Sequence, residues 1–292
     1  MPPPWVITAS AVRNSARPFA PAVSRPCARP SAMKSTALID RLPPSLGTPL
    51  GRWRRHYLDA RRIRKLKRLR TRSTPTGYTL KSFDEYRCIF VHIPKCAGVS
   101  ISHSLFGNLG AGHHTLATYQ QVFTATEFEH WFKFAFVRNP WDRTLSAYRF
   151  LKRGGFHQGD RRWAEQYLGD CPDFPTFVRQ RLRRPEILEW EHFRPQYPYL
   201  CDRDGRLRID FVGRYERLEE DFRELCRQLG VERELERLNA AEGPRSGYHD
   251  HYDEDTRAIV AEVYAEDIRS LGYAFDPTQT NRANSSTPSN SR

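Results

Sequence analysis

Apolar positions cluster unevenly along the chain. Two short runs, Cys88-Ile89-Phe90-Val91-His92 and Phe134-Ala135-Phe136-Val137, are continuous rather than alternating, as in strands covered on both faces. A third core strand is predicted across Arg208 to Glu216. Helical spacing takes over after each. Val99-Ser100-Ile101-Ser102 opens one helix, and Trp141 to Leu151 forms a second behind Pro140, a residue suited to a first helical position. Leu218 to Leu229 carries Leu218, Phe222, Leu225 and Leu229 on one face. Phe174 to Leu182 reads as a shorter helix. Asp253 caps a last helix running to Leu271, with Ile259, Val263, Ile268 and Leu271 turned inward. Strands alternating with helices predict an α/β fold: a P-loop-like central parallel sheet flanked by helices, in one catalytic domain over 83–276. Ligands in such sheets bind beyond the C-terminal strand ends.

Composition divides the 292 residues differently. Residues 1–50 hold ten of the 21 prolines and lack a continuous apolar run, so a disordered extension without a signal peptide is expected. Met33 is a second candidate start. The Ser/Thr/Asn-rich stretch 277–292 is expected to be a disordered tail. No segment approaches 18 apolar residues, so no membrane span is predicted. The formal charge of +13 is local: residues 1–82 hold 18 Lys and Arg against two Asp and Glu, whereas 83–292 hold 29 against 32. The dense part, 52–72, belongs to a basic helical extension over 51–82. Trp53, Tyr57, Ile63, Leu66 and Leu69 fall loosely on helical spacing there. Such a helix either touches a membrane surface or polyanion, or packs beside the domain with a solvated face. No nucleic-acid-binding motif accompanies it, and no nucleic-acid partner is expected.

Six cysteines show no metal spacing. Cys88 and Cys226 read as buried thiols, and pairing of Cys171 with Cys201 stays open. Without a secretory signal, reduced thiols and a cytoplasmic location, with possible peripheral membrane contact, are expected.

Two stretches carry candidate chemistry. In the first, CIFVHIPKCAGVSISHS (88–104), a strand breaks into a small-residue turn and opens a helix. Unpaired backbone N–H groups of the turn and first helical turn suit an anion. Lys95 adds a mobile charge, and Gly98 allows close backbone approach. Lys95 precedes the glycine, so this is not a Walker A loop. In the second, WFKFAFVRNPWDRTLSAYRF (131–150), Arg138 ends a strand and Ser146 lies two turns into the next helix. A guanidinium fork and a hydroxyl can meet there on one phosphate.

HIPKCAGVS and VRNPWDRTLSAY together resemble the sulfotransferases that use 3′-phosphoadenosine 5′-phosphosulfate (PAPS), in particular the family 2 carbohydrate sulfotransferases and their bacterial relatives. The likeness spans roughly Tyr86 to Phe275. It implies that Lys95, Cys96, Ala97, Gly98, Val99 and Ser100 hold the 5′-phosphosulfate, and that Arg138 and Ser146 hold the 3′-phosphate. It also implies a histidine base in an H-x-[TS] setting, which His113 matches before Thr115, with His114 as the fallback. Cys96 would act through its backbone rather than as a nucleophile. No metal is implied. The acceptor is expected to be a hydroxyl, and the resemblance favours one on a carbohydrate. The family commonly has Thr where this chain has Val99, so either affinity for PAPS is weaker or Ser100 compensates. The segment GRYE (213–216) is a further match, expected to be structural. The Arg- and aromatic-rich region 152–196 suits either a sugar-lined cleft or a peripheral helical layer. A kinase-like phosphotransferase, which needs an acidic Mg²⁺ partner, and a non-catalytic nucleotide-binding relative are the competing classes.

Overall fold

The computed structural model describes residues 49–236, 238 and 247–276. Residues 1–48 of the expected disordered extension 1–50, the expected tail 277–292, the side chains of Trp53 and Tyr57, and Cys27 lie outside the described residues, while residues 49 and 50 are helical. From the N-terminus come α1 (Pro49–Leu69), α2 (Lys81–Tyr86), β1 (Cys88–Val91), α3 (Gly98–Phe106), α4 (Leu116–Val122) and α5 (Ala125–His130). Next are β2 (Phe132–Val137), α6 (Pro140–Lys152), α7 (Gln158–Leu168), α8 (Phe174–Gln180) and α9 (Pro185–Leu188). The chain then passes through β3 (Phe211–Arg214), α10 (Leu218–Leu229), α11 (Glu254–Val263) and α12 (Ala265–Leu271).

The strands form one parallel sheet in the order β1-β2-β3. Its apolar runs are buried on both faces. Cross-strand partners Phe90 and Phe134 stack with ring centroids 4.9 Å apart. On β3, Gly213 leaves room for the Phe136 ring: a Cβ there would come within 2.4 Å of it. A second core lies to one side, where Trp141, Tyr148, Trp163, Phe177, Phe193 and Ile259 bury one another among α6, α7, α8 and α11.

This second core decides how 152–196 is built. Trp163, Phe174 and Phe177 are buried in it rather than lining a cleft, because three helices without a sheet beneath them need an apolar centre of their own. Several arginines on its outside are paired: Arg179 with Asp253 and Asp255, Arg181 with Asp170, and Arg183 with Glu262. The expected single C-terminal helix is two. It breaks at Tyr264, whose buried hydroxyl donates to Phe193 O at 2.8 Å, and Asp253 caps the first half by accepting from Thr256 N. Val260 is buried, whereas Val263 and Ile268 are only half-buried.

The basic helix packs against the body. Leu66 and Leu69 join the sheet core while Arg61, Arg62, Arg64, Lys65, Lys67 and Arg68 face outward. Arg70 closes the contact: its guanidinium lies over the Phe123 ring at 4.8 Å and pairs with Asp84 and Glu127. Cys88, Cys96, Cys171 and Cys226 are buried free thiols, so Cys171 does not pair with Cys201. Among the described residues no helix is long and apolar enough to cross a membrane.

Candidate functional site

At the C-terminal end of β1 the chain turns through Ile93 to Ala97 into α3. Lys95 and Ala97 have φ of 70° and 61°, left-handed values that non-glycine residues adopt at a steric cost. Alternating right- and left-handed residues aim successive N–H groups into a shared concavity that suits an anion. No side chain caps α3, so the N–H groups of its first turn are left for a ligand. Strain of this kind persists where the surroundings over-determine it, and here they do. Arg138 Nη1 donates to Lys95 O at 3.1 Å, and Arg143 Nε donates to Pro94 O at 3.0 Å. The Cys96 thiol donates to Gln196 Oε1 at 3.3 Å. Burial pushes that thiol up to about 12, which keeps it protonated and excludes a nucleophilic role near neutral pH.

Gly98 has a packing reason that the sequence does not show. The His92 ring lies against its Cα, and a Cβ would come within 1.9 Å of the imidazole. Close approach of the His92 ring by itself requires glycine here. The buried Ser100 hydroxyl donates to Leu238 O at 3.1 Å and accepts from Leu238 N at 3.0 Å. Of the two alternatives at Val99, this engagement with the backbone favours weaker affinity over compensation by Ser100. The Ser100 N–H, like those of Gly98 and Val99, belongs to the uncapped first turn.

Arg138 ends β2 and is braced on every side. Its Nε donates to Asp142 Oδ2 at 2.7 Å, and its guanidinium lies 3.9 Å above the Tyr215 ring. Buried Gln196 accepts from Arg138 N and donates to Arg138 O, standing in for a neighbouring strand. Glu216 accepts from Asn139 N at 2.6 Å. The GRYE segment thus braces the Arg138 end of the strand. Ser146 sits half-buried on α6, and among the described residues no hydrogen bond joins it to Arg138 or to the Lys95 turn. Arg143, which the sequence reading passed over, is the more deeply placed basic group. It is 1% exposed, and its Nη2 has no partner among the described residues. Its place three residues after the Asn-Pro pair, within VRNPWDR, was the available signal.

Lys95 Nζ lies 4.0 Å above the Phe150 ring. Burial, reinforced by Arg138 and Arg153, lowers its pKa to about 8. His113 Nδ1 lies 3.2 Å from His92 O. A carbonyl only accepts, so Nδ1 carries the proton and Nε2 keeps a free lone pair. Burial holds His113 below the ordinary histidine range, so it is a neutral base at pH 7. His114 turns elsewhere, edge-on to Tyr119, and burial with the charge of Arg62 brings it to about 4. Thr115 of the H-x-T pattern caps α4 by accepting from Thr118 N. The structure therefore brings Lys95, Arg138 and His113 around one turn and leaves His114 outside. Among the described residues no group of three or more His, Cys, Asp or Glu is arranged to hold a metal ion.

Comparison with known proteins gives a consistent picture. A family described as the sulfotransferase family matches residues 78–274. The chain is 32% identical to carbohydrate sulfotransferase 14 of Mus musculus and of Homo sapiens, in each case over 47% of this chain and 43% of the relative. It is 28% identical to an uncharacterized protein of Archaeoglobus fulgidus, over 39% of this chain and 81% of that one. The chain thus spans less than half the length of the vertebrate relatives. No solved structure matches.

Proposed function

Because this chain belongs to the sulfotransferase family, we propose that it moves a sulfuryl group from PAPS to a hydroxyl of a carbohydrate acceptor. The observation that carries the reading is the strained, uncapped turn at Lys95–Gly98, pinned from below by two arginines. A turn held open to an anion by this much surrounding structure is a site for a phosphate-linked group.

In this reading the 5′-phosphosulfate lies on the N–H groups of residues 95–100. The 3′-phosphate is met by the arginine side, Arg138 with Arg143 beneath it, and Ser146 reaches it from α6. The acceptor oxygen attacks sulfur in line. As the new O–S bond forms, the bond from sulfur to the bridging oxygen breaks and its electron pair leaves on the 5′-phosphate. Lys95 offsets that growing charge. His113 Nε2 takes the hydroxyl proton. The carbohydrate acceptor is supported by the two vertebrate relatives' names. A kinase-like alternative draws no support from the site, where the turn lacks the glycine–lysine order of an ATP loop.

Incubation with PAPS labelled in its sulfuryl group, across a panel of soluble polysaccharides, tests the reading. Label should appear in at least one polysaccharide with wild type and be lost with Lys95→Ala. Transfer from ATP instead would replace this reading with the kinase one.

A further inference from the structure

One aromatic of the 152–196 layer stands in solvent. Trp163, Phe174, Phe177 and Phe193 are buried, whereas Phe156, in the loop between α6 and α7, is 71% exposed. A single exposed apolar residue needs no explanation by itself. Three further observations set this one apart.

The first is its place. The Phe156 ring meets that of Phe150 with centroids 5.0 Å apart, and Lys95 Nζ lies 4.0 Å above that same Phe150 ring. The wall also runs the other way, from Phe150 to His192 at 4.9 Å and from His192 to His113 at 6.2 Å between centroids. Phe156 therefore extends the wall shared by the lysine and the candidate base. The second is how the loop is held. Phe156 N donates to Oδ2 of Asp160 at 3.0 Å, and Asp160 is 1% exposed. Gly155, at φ 66°, packs on that anchor so closely that a Cβ there would meet Asp160 Cβ at 2.1 Å. The main chain is fixed while the ring stays outside, an arrangement that spares a ligand the ordering of the loop.

The third is charge. Elsewhere on this layer Arg179, Arg181 and Arg183 are paired with carboxylates. Arg153 and Arg161, on either side of Phe156 in sequence, are exposed and form no ion pair among the described residues. Arg161 reaches back over the loop, where a Cβ on Gly154 would lie 3.8 Å from its Nε. Arg153 is near enough to Lys95 to help lower its pKa. A free guanidinium fork matches a carboxylate, and an aromatic face takes apolar C–H groups.

We propose that Phe156, with Arg153 and Arg161, forms an acceptor subsite for a sugar ring that carries a carboxylate, next along the chain from the sugar that is sulfated. The C–H face of the ring lies on Phe156 and its carboxylate accepts from the arginines. No bond is made or broken there; the subsite holds the neighbouring sugar so that its hydroxyl meets His113 and the sulfuryl group. The inference rests on the proposed function for its reaction and adds the class of acceptor, an acidic polysaccharide.

The test compares the full chain as wild type, Phe156→Ala, Phe156→Trp and the double variant Arg153→Gln/Arg161→Gln. Transfer from labelled PAPS is read on hyaluronan and alginate, which carry carboxylates, and on dextran, which does not. Wild type should label the first two ahead of dextran. Phe156→Ala should raise KM for them about 10-fold, with KM for PAPS and the thermal shift given by 3′-phosphoadenosine 5′-phosphate unchanged. Phe156→Trp keeps the aromatic face and should stay near wild type. The arginine double variant should lose the preference over dextran. An acceptor KM unmoved in Phe156→Ala, a KM for PAPS that rises instead, or a wild type that favours dextran would overturn the proposal. A wild type that labels none of the three would indict the proposed reaction. Isothermal titration with hyaluronan then judges the subsite alone: binding about 10-fold weaker in Phe156→Ala supports it, and no binding, or equal binding, overturns it.

Discussion

Lys95 holds its charge under protest. Burial lowers its pKa to about 8, so the native fold disfavours the very cation that a phosphosulfate would welcome. Two consequences follow with opposite signs. Between about pH 8 and its unfolded value of 10.5, the unfolded chain keeps a proton that the native lysine has shed, so native stability rises with pH. Denaturant titrations of wild type and Lys95→Met at pH 7.5 and 9.5 should show this rise in wild type and its absence in the variant. Anion binding, by contrast, favours protonated Lys95, so affinity for 3′-phosphoadenosine 5′-phosphate should fall above about pH 8. Lys95→Ala should lose on the order of 3 kcal/mol of transition-state stabilisation, a rate loss of about 10²-fold or more. Full turnover in that variant would remove lysine from the mechanism. Motif reading reached Lys95 and Arg138 because both stand beside strand ends in a recognisable order. It passed over Phe156, because nothing in the pattern of 152–196 shows which aromatic stays outside the second core.

The element that sets the site is the β1–turn–α3 unit. Its strand and helix were legible from apolar periodicity and small residues. Its strain was not, since nothing in Pro-Lys-Cys-Ala-Gly announces left-handed Lys95 and Ala97. Nor does sequence reveal that Gly98 serves His92. Gly98→Ala tests that packing: the added methyl must displace a buried imidazole, and overpacking of this kind costs about 1–3 kcal/mol. Equilibrium unfolding should show the loss, and a fully stable Gly98→Ala would mean that the His92 ring sits elsewhere. At the other end of the chain, the predicted last helix broke where Tyr264 turns inward to Phe193, a tertiary demand that periodicity cannot register.

Across the whole molecule, charge and packing are partitioned. The basic excess sits at the N-terminal side, and what is described of it belongs to a helix whose apolar face is already spent on the body. Leu66 and Leu69 are therefore packed on the body, whereas the Arg and Lys row from Arg61 to Arg68 faces outward. Leu66→Ala should destabilise the entire fold by about 2–4 kcal/mol, because Leu66 is 2% exposed within the sheet core. A loss below about 0.5 kcal/mol would show α1 to be an appendage. Sequence composition set this basic segment apart in charge but left its packing open between a membrane or polyanion surface and the domain, since five apolar residues among many cations give only a weak helical stripe.

The central claim is that the turn at Lys95 and the arginines beneath it form a site for a 3′-phosphorylated adenine nucleotide. Thermal unfolding of wild type and Arg138→Lys, each with and without 3′-phosphoadenosine 5′-phosphate and beside ATP–Mg²⁺, tests it most directly. Lysine keeps the charge but not the fork over Tyr215, so each protein is compared with its own ligand-free midpoint. At 100 times its Kd the nucleotide should add about 2.7 kcal/mol, a rise of about 5–10 °C, in wild type and far less in Arg138→Lys. No rise in wild type, or a rise with ATP–Mg²⁺ alone, would contradict the account.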